Sequence, residues 1–404
     1  MLAAFALRNV FRHRMRSVMT LVVIATGVAA LIVSGGFVED LYRQLGDAII
    51  HSQTGHLQVA KPEFFGGGSR SPEKYRISDP AAVERDFGAL PGVVQVSARL
   101  GFAGLLSNTR TDRPILGEGI EPDKEAKLAT SIAILAGRTL TSKDRHGMLV
   151  GEGLAKALDL HPGDPVTLLA TTVDGAMNTA DLEVTGIFRS FSRDYDARAV
   201  KIPLDAAQDL IGTRDANTVV VLLADTADSA GVQAAAQPLM RARGLEVKRW
   251  DELNDFYANT VRLYDRQFGV LRVIILFMVA LGVANAINMA IFERLGEFGT
   301  MRALGDPKAR VFRLIVAECT LLGVLGAAAG VILGISLSML VSWIGIPMPP
   351  PPNSNIGFTA RIEISRSLCA TAFAFGVVAT VLAGLVPALR ARSVPIVDAL
   401  RQWV

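Results

Sequence analysis

The sequence is poor in the residues that build redox and catalytic centres. It has 404 residues but only two cysteines and five histidines. Both cysteines, Cys319 and Cys369, fall in apolar runs, where cysteine behaves as a small apolar residue. The motifs GxxxxGK[ST], HExxH, CxxC and GxSxG are all absent. The chain therefore does not hydrolyse ATP by the P-loop mechanism, and no catalytic residue is expected.

Disulfides and metal sites are also not expected. No cysteine occurs between residues 39 and 267, so this long segment has no disulfide framework. His51 and His56 are five residues apart, and we interpret them as ordinary histidines and not as metal ligands. The net charge of +3 indicates no nucleic-acid partner, because its distribution is explained by membrane topology.

Charge is nearly missing from four long stretches. They lie between Arg16 and Glu39, Arg272 and Glu293, Arg313 and Trp343, and Arg366 and Arg390. Glu318 is the one charged residue inside them. A hydrocarbon core of roughly 30 Å requires about 20 apolar residues in a helix, and the mean hydropathy is +0.37. The sequence predicts four transmembrane helices.

Lysine and arginine cluster at one side of these spans. They lie in the N-terminal arm (Arg8, Arg12, Arg14, Arg16), in the loop after the second span (Arg294, Arg302, Lys308, Arg310, Arg313) and in the tail (Arg390, Arg392, Arg401). The loop between the third and fourth spans has only Arg361 and Arg366. Because positive loops stay in the cytoplasm, both termini are predicted to be cytoplasmic.

The predicted fold class is a membrane protein with four transmembrane α-helices and a large extracytoplasmic α+β domain inserted between the first and second. In chain order the segments are an amphipathic N-terminal helix (1–16), TM1 (17–38), the outer domain (39–267), TM2 (268–292), a coupling helix (293–306), TM3 (307–344), an outer loop (345–366), TM4 (367–389) and a tail (390–404). The uncharged part of TM1 is longer than the 7–15 apolar residues of a cleaved signal peptide.

The outer domain alternates short strands and helices without the regular rhythm of a nucleotide-binding sheet. Strands are predicted at 54–59, 148–151, 166–171, 182–188 and 218–223, with 166–171 and 182–188 paired as a hairpin. Helices are predicted at 152–158, 205–211 and 229–243. From Trp250 onward, apolar residues at helical spacing predict one unbroken helix that continues through TM2.

Residues 293–305 form a short amphipathic segment between two spans. It ends at Gly305, and Asp306 with Pro307 starts the next helix. A short helix with polar edges in this position either rests on the membrane surface or binds another protein.

A few residues inside the spans are polar or small. Glu318 is either a functional group that pairs with an arginine or a residue at headgroup depth. Asn285 and Asn288 are interpreted as helix contacts and not as substrate ligands. Gly326, Gly330 and Gly334 form overlapping GxxxG patterns, which suit close helix packing within the chain or across a dimer.

Three stretches support a family resemblance. They are residues 293–305 followed by Glu318, residues 150–158 with 162–164, and residues 387–392 with 395–401. With the order of one span, a large outer domain and three spans, the chain resembles the FtsX-like, MacB-type permeases of ABC transporters. Residues 27–37, 55–59 and 250–254 are most similar to the lipoprotein-releasing LolC/LolE-type branch.

The resemblance implies a permease in the bacterial inner membrane with its large domain in the periplasm. Two copies of a separate ATPase subunit would bind ATP and Mg, and a second permease chain would complete a homo- or heterodimer. The implied ATPase contacts are Glu293, Arg294, Glu297, Phe298, Met301, Arg302 and Leu304. The implied apolar contacts for a lipoprotein or lipid-like substrate are Phe37, Phe256, Val261, Tyr264 and Phe268, which alternatively only pack or line the membrane interface.

Two other functions fit the same architecture. One is an FtsX-like regulator that transmits motion to a periplasmic enzyme, and the other is a MacB-like efflux permease. A periplasmic lipoprotein carrier is the partner expected for the extraction function. The proline-rich loop at 347–352 matches neither lipoprotein-releasing subunit, and the Gly-rich loop at 66–68 has no assigned role.

Overall fold

The computed structural model describes residues 14–66, 74–350, 353–355, 357–393 and 395. Residues 1–13 of the interfacial helix predicted over 1–16, Gly67 and Gly68, and part of the proline-rich loop and of the tail lie outside these residues. The chain divides into a membrane unit (Met1–Tyr42, Thr260–Pro347, Thr359–Val404) and an α/β unit (Arg43–Asn259, Met348–Phe358).

Helices account for all four predicted spans. The described α-helices are α1 (Arg14–Ile49), α2 (Pro80–Gly88), α3 (Pro122–Leu128), α4 (Glu152–Leu158), α5 (Arg193–Asp196), α6 (Leu204–Ile211), α7 (Ser229–Ala242), α8 (Trp250–Leu253), α9 (Asp255–Glu293), α10 (Leu295–Ala303), α11 (Lys308–Ile344) and α12 (Arg366–Ser393). Helices α1, α9, α11 and α12 are long and apolar enough to cross a membrane.

The helix predicted from Trp250 is interrupted, and on this point the prediction was wrong. Helix α8 ends at Leu253, and Asn254 has an extended backbone with φ −116° and ψ 93°. The side chain of Asn254 accepts a hydrogen bond from the Tyr257 N–H at 3.0 Å. Asparagine is a favoured N-cap, so a new helix starts here and continues without a break to Glu293.

Within the membrane unit, small residues let helices approach closely. An added Cβ at Gly330 of α11 would lie 2.7 Å from the Val28 Cβ and 2.8 Å from the Ala25 carbonyl oxygen of α1. Gly326 and Gly334 meet the same helix in the same way. The GxxxG pattern therefore packs against α1 of its own chain.

The strands of the α/β unit are β1 (Leu57–Ala60), β2 (Val93–Ser107), β3 (Asp112–Ile120), β4 (Ala133–Gly137), β5 (Gly147–Gly151), β6 (Pro165–Thr171), β7 (Met177–Arg189), β8 (Ala199–Pro203), β9 (Thr218–Leu223) and β10 (Glu246–Arg249). Two further short strands, β11 (Ile346–Met348) and β12 (Phe358–Ala360), pair with each other.

One half of the α/β unit is a split β-α-β sheet. Its strand order is β10-β1-β9-β2, all antiparallel. Helix α2 connects β1 to β2, and α7 connects β9 to β10, which is the ferredoxin-like arrangement. Its core includes Leu57, Phe87, Val221 and Met240.

The other half is a closed barrel. Strand β2 continues past Leu100 to pair with β3, and the ring then runs through β8, β5, β7 and β6 back to β2. Its interior contains a second core that includes Phe102, Leu106, Val150 and Leu168. The predicted hairpin is confirmed, since β6 and β7 pair with Thr171 opposite Met177.

Candidate functional site

The segment between the second and third spans forms a fixed corner. Helix α9 ends at Glu293, α10 follows, and α11 begins at Lys308. Gly305 has a φ of 99°, a conformation that glycine adopts without strain. The Asp306 N–H donates to the Met301 carbonyl oxygen at 3.1 Å, which closes the end of α10.

A buried arginine holds this corner together. Arg294 is only 7% exposed. Its guanidinium donates to both carboxylate oxygens of Glu318, at 3.0 and 2.8 Å, and to Glu297 at 3.0 Å. It also lies 5.1 Å from the centre of the Phe298 ring. Burial opposes the charge, but the carboxylates of Glu318 and Glu297 outweigh burial and raise the pKa of Arg294.

This arrangement divides the predicted ATPase contacts into two groups. Arg294 and Phe298 are buried, so they position the segment and do not lie on its accessible side. Leu304 is 88% exposed. The residues that remain accessible are Glu293, Glu297, Met301, Arg302 and Leu304. Their role as ATPase contacts stays a prediction.

The polar residues predicted inside the spans have different surroundings. Glu318 forms an ion pair with Arg294, and a functional role for this pair stays a prediction. Asn285 is exposed on α9 and Asn288 is half-buried. A role for these two asparagines in helix contacts stays a prediction.

Three of the predicted substrate contacts meet between α1 and α9. The ring centres of Phe37 and Phe268 are 6.3 Å apart, and those of Tyr264 and Phe268 are 6.2 Å apart. Nearby, the Tyr42 hydroxyl donates to the Val261 carbonyl oxygen at 3.1 Å. The result is an aromatic cluster within the membrane unit, formed by Phe37, Tyr264 and Phe268.

Phe256 does not belong to this cluster. It lies in the α/β unit, where its ring centre is 6.2 Å from that of Phe191. It also packs in a small core with Leu45 and Ile49. Its environment fits the packing alternative better than a shared substrate surface.

His56 has ordinary hydrogen-bond partners, and the His51 ring contacts the His56 ring, with 5.9 Å between the ring centres. The described part of the chain contains no group of three potential metal ligands. His56 accepts a hydrogen bond from the Leu223 N–H at 3.1 Å, and its Nε2 lies 3.0 Å from the Thr226 hydroxyl. Burial, together with the neighbouring His51, lowers the pKa of His56 to about 4, although Asp225 acts in the opposite direction.

Sequence reasoning missed a buried ionic network in the α/β unit. Arg99 donates to both oxygens of Glu125, at 3.3 and 2.8 Å, and Lys201 donates to Glu125 at 2.9 Å. Burial opposes ionisation of Glu125, but the two cations outweigh it and lower its pKa to about 2. Arg99 also donates to the carbonyl oxygen of Gln53, in the π-helical turn Ile50–Thr54. The available signal was a lysine inside the apolar strand β8.

Comparisons with known proteins agree with this architecture. The family model described as the MacB-like periplasmic core domain matches residues 17–239, and the model of the FtsX-like permease C-terminal region matches residues 269–396.

Individual relatives cover much of the chain at low identity. The ABC transporter permease YvrN of Bacillus subtilis (strain 168) is 24% identical over 98% of this chain and 97% of its own length. The lipoprotein-releasing system transmembrane protein LolE of Haemophilus influenzae is 23% identical over 78% of this chain and 76% of its own. The macrolide export ATP-binding/permease protein MacB of Bordetella avium is 22% identical over 82% of this chain and 51% of its own.

Proposed function

Since the chain belongs to the FtsX-like, MacB-type family of ABC transporter permeases, we propose that it converts ATP hydrolysis by a separate ATPase subunit into motion of its α/β unit. In this proposal the chain spans the bacterial inner membrane, with both termini in the cytoplasm and the α/β unit in the periplasm. Two ATPase subunits, with ATP and Mg, act on a pair of permease chains.

The corner at α10 carries this proposal. A surface on which the ATPase exerts force must be rigidly attached to the helices that it moves. The Arg294–Glu318 ion pair provides such an attachment, because it joins the start of α10 to α11. The exposed Leu304 offers an apolar anchor of the kind that protein interfaces bury. The partly exposed Met301 and Arg302 lie beside it on the same short segment.

For the cargo we propose a lipoprotein or another lipid-like molecule, passed from the membrane to a periplasmic carrier. Two observations support this proposal. LolE is among the relatives, and the aromatic cluster of Phe37, Tyr264 and Phe268 lies between α1 and α9. Each CH₂ group moved out of the bilayer loses about 0.8 kcal/mol, so extraction requires an alternative apolar surface of this kind.

The experiment is reconstitution of the permease and its ATPase in lipid vesicles, with cargo release and stimulated ATP hydrolysis measured together. Leu304→Glu should abolish stimulation while leaving the permease folded, because it places a charge in the apolar contact. Leu239→Glu is the matched control, since Leu239 is also exposed, at 45%, but lies on α7 of the α/β unit. Unchanged stimulation in Leu304→Glu would contradict the coupling role.

A MacB-like efflux permease is the second candidate, because the MacB-like core domain covers residues 17–239. Export of a soluble compound without any lipid-linked cargo would favour efflux. ATP hydrolysis that is stimulated by a periplasmic hydrolase, without release of any cargo, would favour the regulatory alternative.

A further inference from the structure

The α/β unit contains a cavity of about 140 Å³ that belongs to neither of its two main cores. The cavity lies among α3, β4, β5, β7 and β8, and its walls include Ile132, Ile134, Leu149 and Phe188. Four of its lining residues, Ile120, Leu140, Leu149 and Phe188, belong to a small separate hydrophobic cluster. It is therefore an apolar space on the outside of the barrel.

Three polar side chains, those of Glu125, Thr139 and Lys201, distinguish this space from a simple packing defect. Lys201 lines the cavity and is only 1% exposed. Its ammonium has three N–H donors, and among the residues that the structure describes its one hydrogen-bond partner is Glu125, at 2.9 Å. Glu118 Oε2, 3.6 Å away, forms a second ion pair with the ammonium. Among the described residues, one of the three donors thus has no protein partner, and a buried donor without a partner costs free energy.

We propose that this cavity binds a short, uncharged acyl group, with the carbonyl oxygen accepting a hydrogen bond from the Lys201 ammonium. The size fits, because an engineered apolar cavity of about 150 Å³ binds benzene, which has six carbon atoms. The acyl chain therefore extends about six carbons into the cavity. This site is separate from the coupling segment and does not rest on the proposed function.

The charges beside Lys201 determine which acyl compounds fit. A free carboxylate would lie near the carboxylates of Glu125 and Glu118, which already flank the ammonium, and like charges at this distance repel. A plain hydrocarbon would fill the cavity but would leave the third ammonium donor without an acceptor. An ester or amide satisfies both requirements.

Photolabelling of the full chain in lipid nanodiscs tests this proposal. The probe is a six-carbon methyl ester with a diazirine on its chain, and mass spectrometry identifies the labelled peptides. We expect saturable labelling of the peptides that contain Ile132 and Phe188. Methyl hexanoate should compete at least tenfold better than hexanoate or hexane.

A filled cavity should lose this labelling. Ala129 lines the cavity, and Ala129→Leu should reduce labelling of the Phe188 peptide at least tenfold. Ala235→Leu is the matched control, because Ala235 is exposed on α7 and does not line the cavity. If Ala129→Leu does not fold, Ile132→Trp fills the same space from the other side. Labelling that does not saturate, that persists in the filled variant, or that shows no preference for the ester would overturn the proposal.

Discussion

The ion pair between Arg294 and Glu318 allows a quantitative test of what stabilises the corner formed by α9, α10 and α11. In the variant Glu318→Gln the side chain keeps its shape but loses its charge. Among the residues that the structure describes, Arg294 then keeps only Glu297 as a charged partner, and the Glu297 side chain is 39% exposed, against 15% for Glu318. The variant therefore removes the charge of Glu318, the less exposed of the two carboxylates that pair with Arg294.

The expected cost follows from the burial of the arginine. Removing one partner of a buried ion pair costs about 3–5 kcal/mol. Because Glu297 remains, we expect the lower end, about 3 kcal/mol, which is roughly a 100-fold change in the unfolding equilibrium. Arg294→Gln should cost a similar amount, since it removes the guanidinium from the same buried ion pair.

A double-mutant cycle separates this pair from its surroundings. The two single variants and the combined variant are unfolded reversibly in mixed micelles, and stimulated ATP hydrolysis is measured on the same preparations. We expect the combined variant to be less destabilised than the sum of the single variants by about 2 kcal/mol, within the range of measured couplings. Additivity within about 0.5 kcal/mol would refute the conclusion that this pair holds the corner.

Three further predictions concern stability. Gly330→Ala should destabilise the membrane unit by about 1–3 kcal/mol in the same unfolding assay, because its Cβ collides with α1; Gly269→Ala is the control, with nothing within 4 Å of its Cβ, and equal effects would contradict the packing. His56 is held neutral by its lowered pKa of about 4, so the stability that it contributes is complete above pH 6.5 and is lost as pH falls toward 4; a pH series of unfolding midpoints should flatten over this interval in His56→Gln. Glu125→Gln should cost at least about 3 kcal/mol, since it removes the carboxylate charge shared by the two buried cations Arg99 and Lys201. In the unmodified chain the stability from this carboxylate should be present above pH 4.5 and be lost only as pH falls toward 2, and a loss nearer neutral pH would contradict this assignment.

The spans could be predicted from sequence because the absence of charged residues can be read from one short stretch of the chain. A run of about 20 uncharged, apolar residues is typical of a helix that crosses a membrane, and the four runs became α1, α9, α11 and α12. The partner of Glu318 could not be predicted in the same way. Several arginines lie near the ends of the spans, and only the packing of α10 against α11 selects Arg294.

The barrel was harder to predict than the membrane unit. Strand β2 has five consecutive buried residues from Val96 to Leu100, which removes the alternation that identifies a strand. Strand β8 is buried at all five positions although it contains Lys201. Closure of the ring depends on strands far apart in sequence, such as β2 with β6, and no local pattern specifies such a pairing.

Asn254 shows the opposite case, in which a local signal was present but the apolar spacing around it dominated the interpretation. An asparagine followed by an acidic residue is typical of a helix start. The helical spacing of the aromatic residues on both sides predicted continuity across it, and the structure instead places a cap there.

Strand β2 is shared, with residues up to Arg99 hydrogen-bonded to β9 and residues from Leu100 hydrogen-bonded to β3. A chimera that exchanges the barrel alone must therefore cut a continuous strand and rebuild its ladder at the junction. Recombination between relatives should accordingly exchange the split β-α-β sheet and the barrel together.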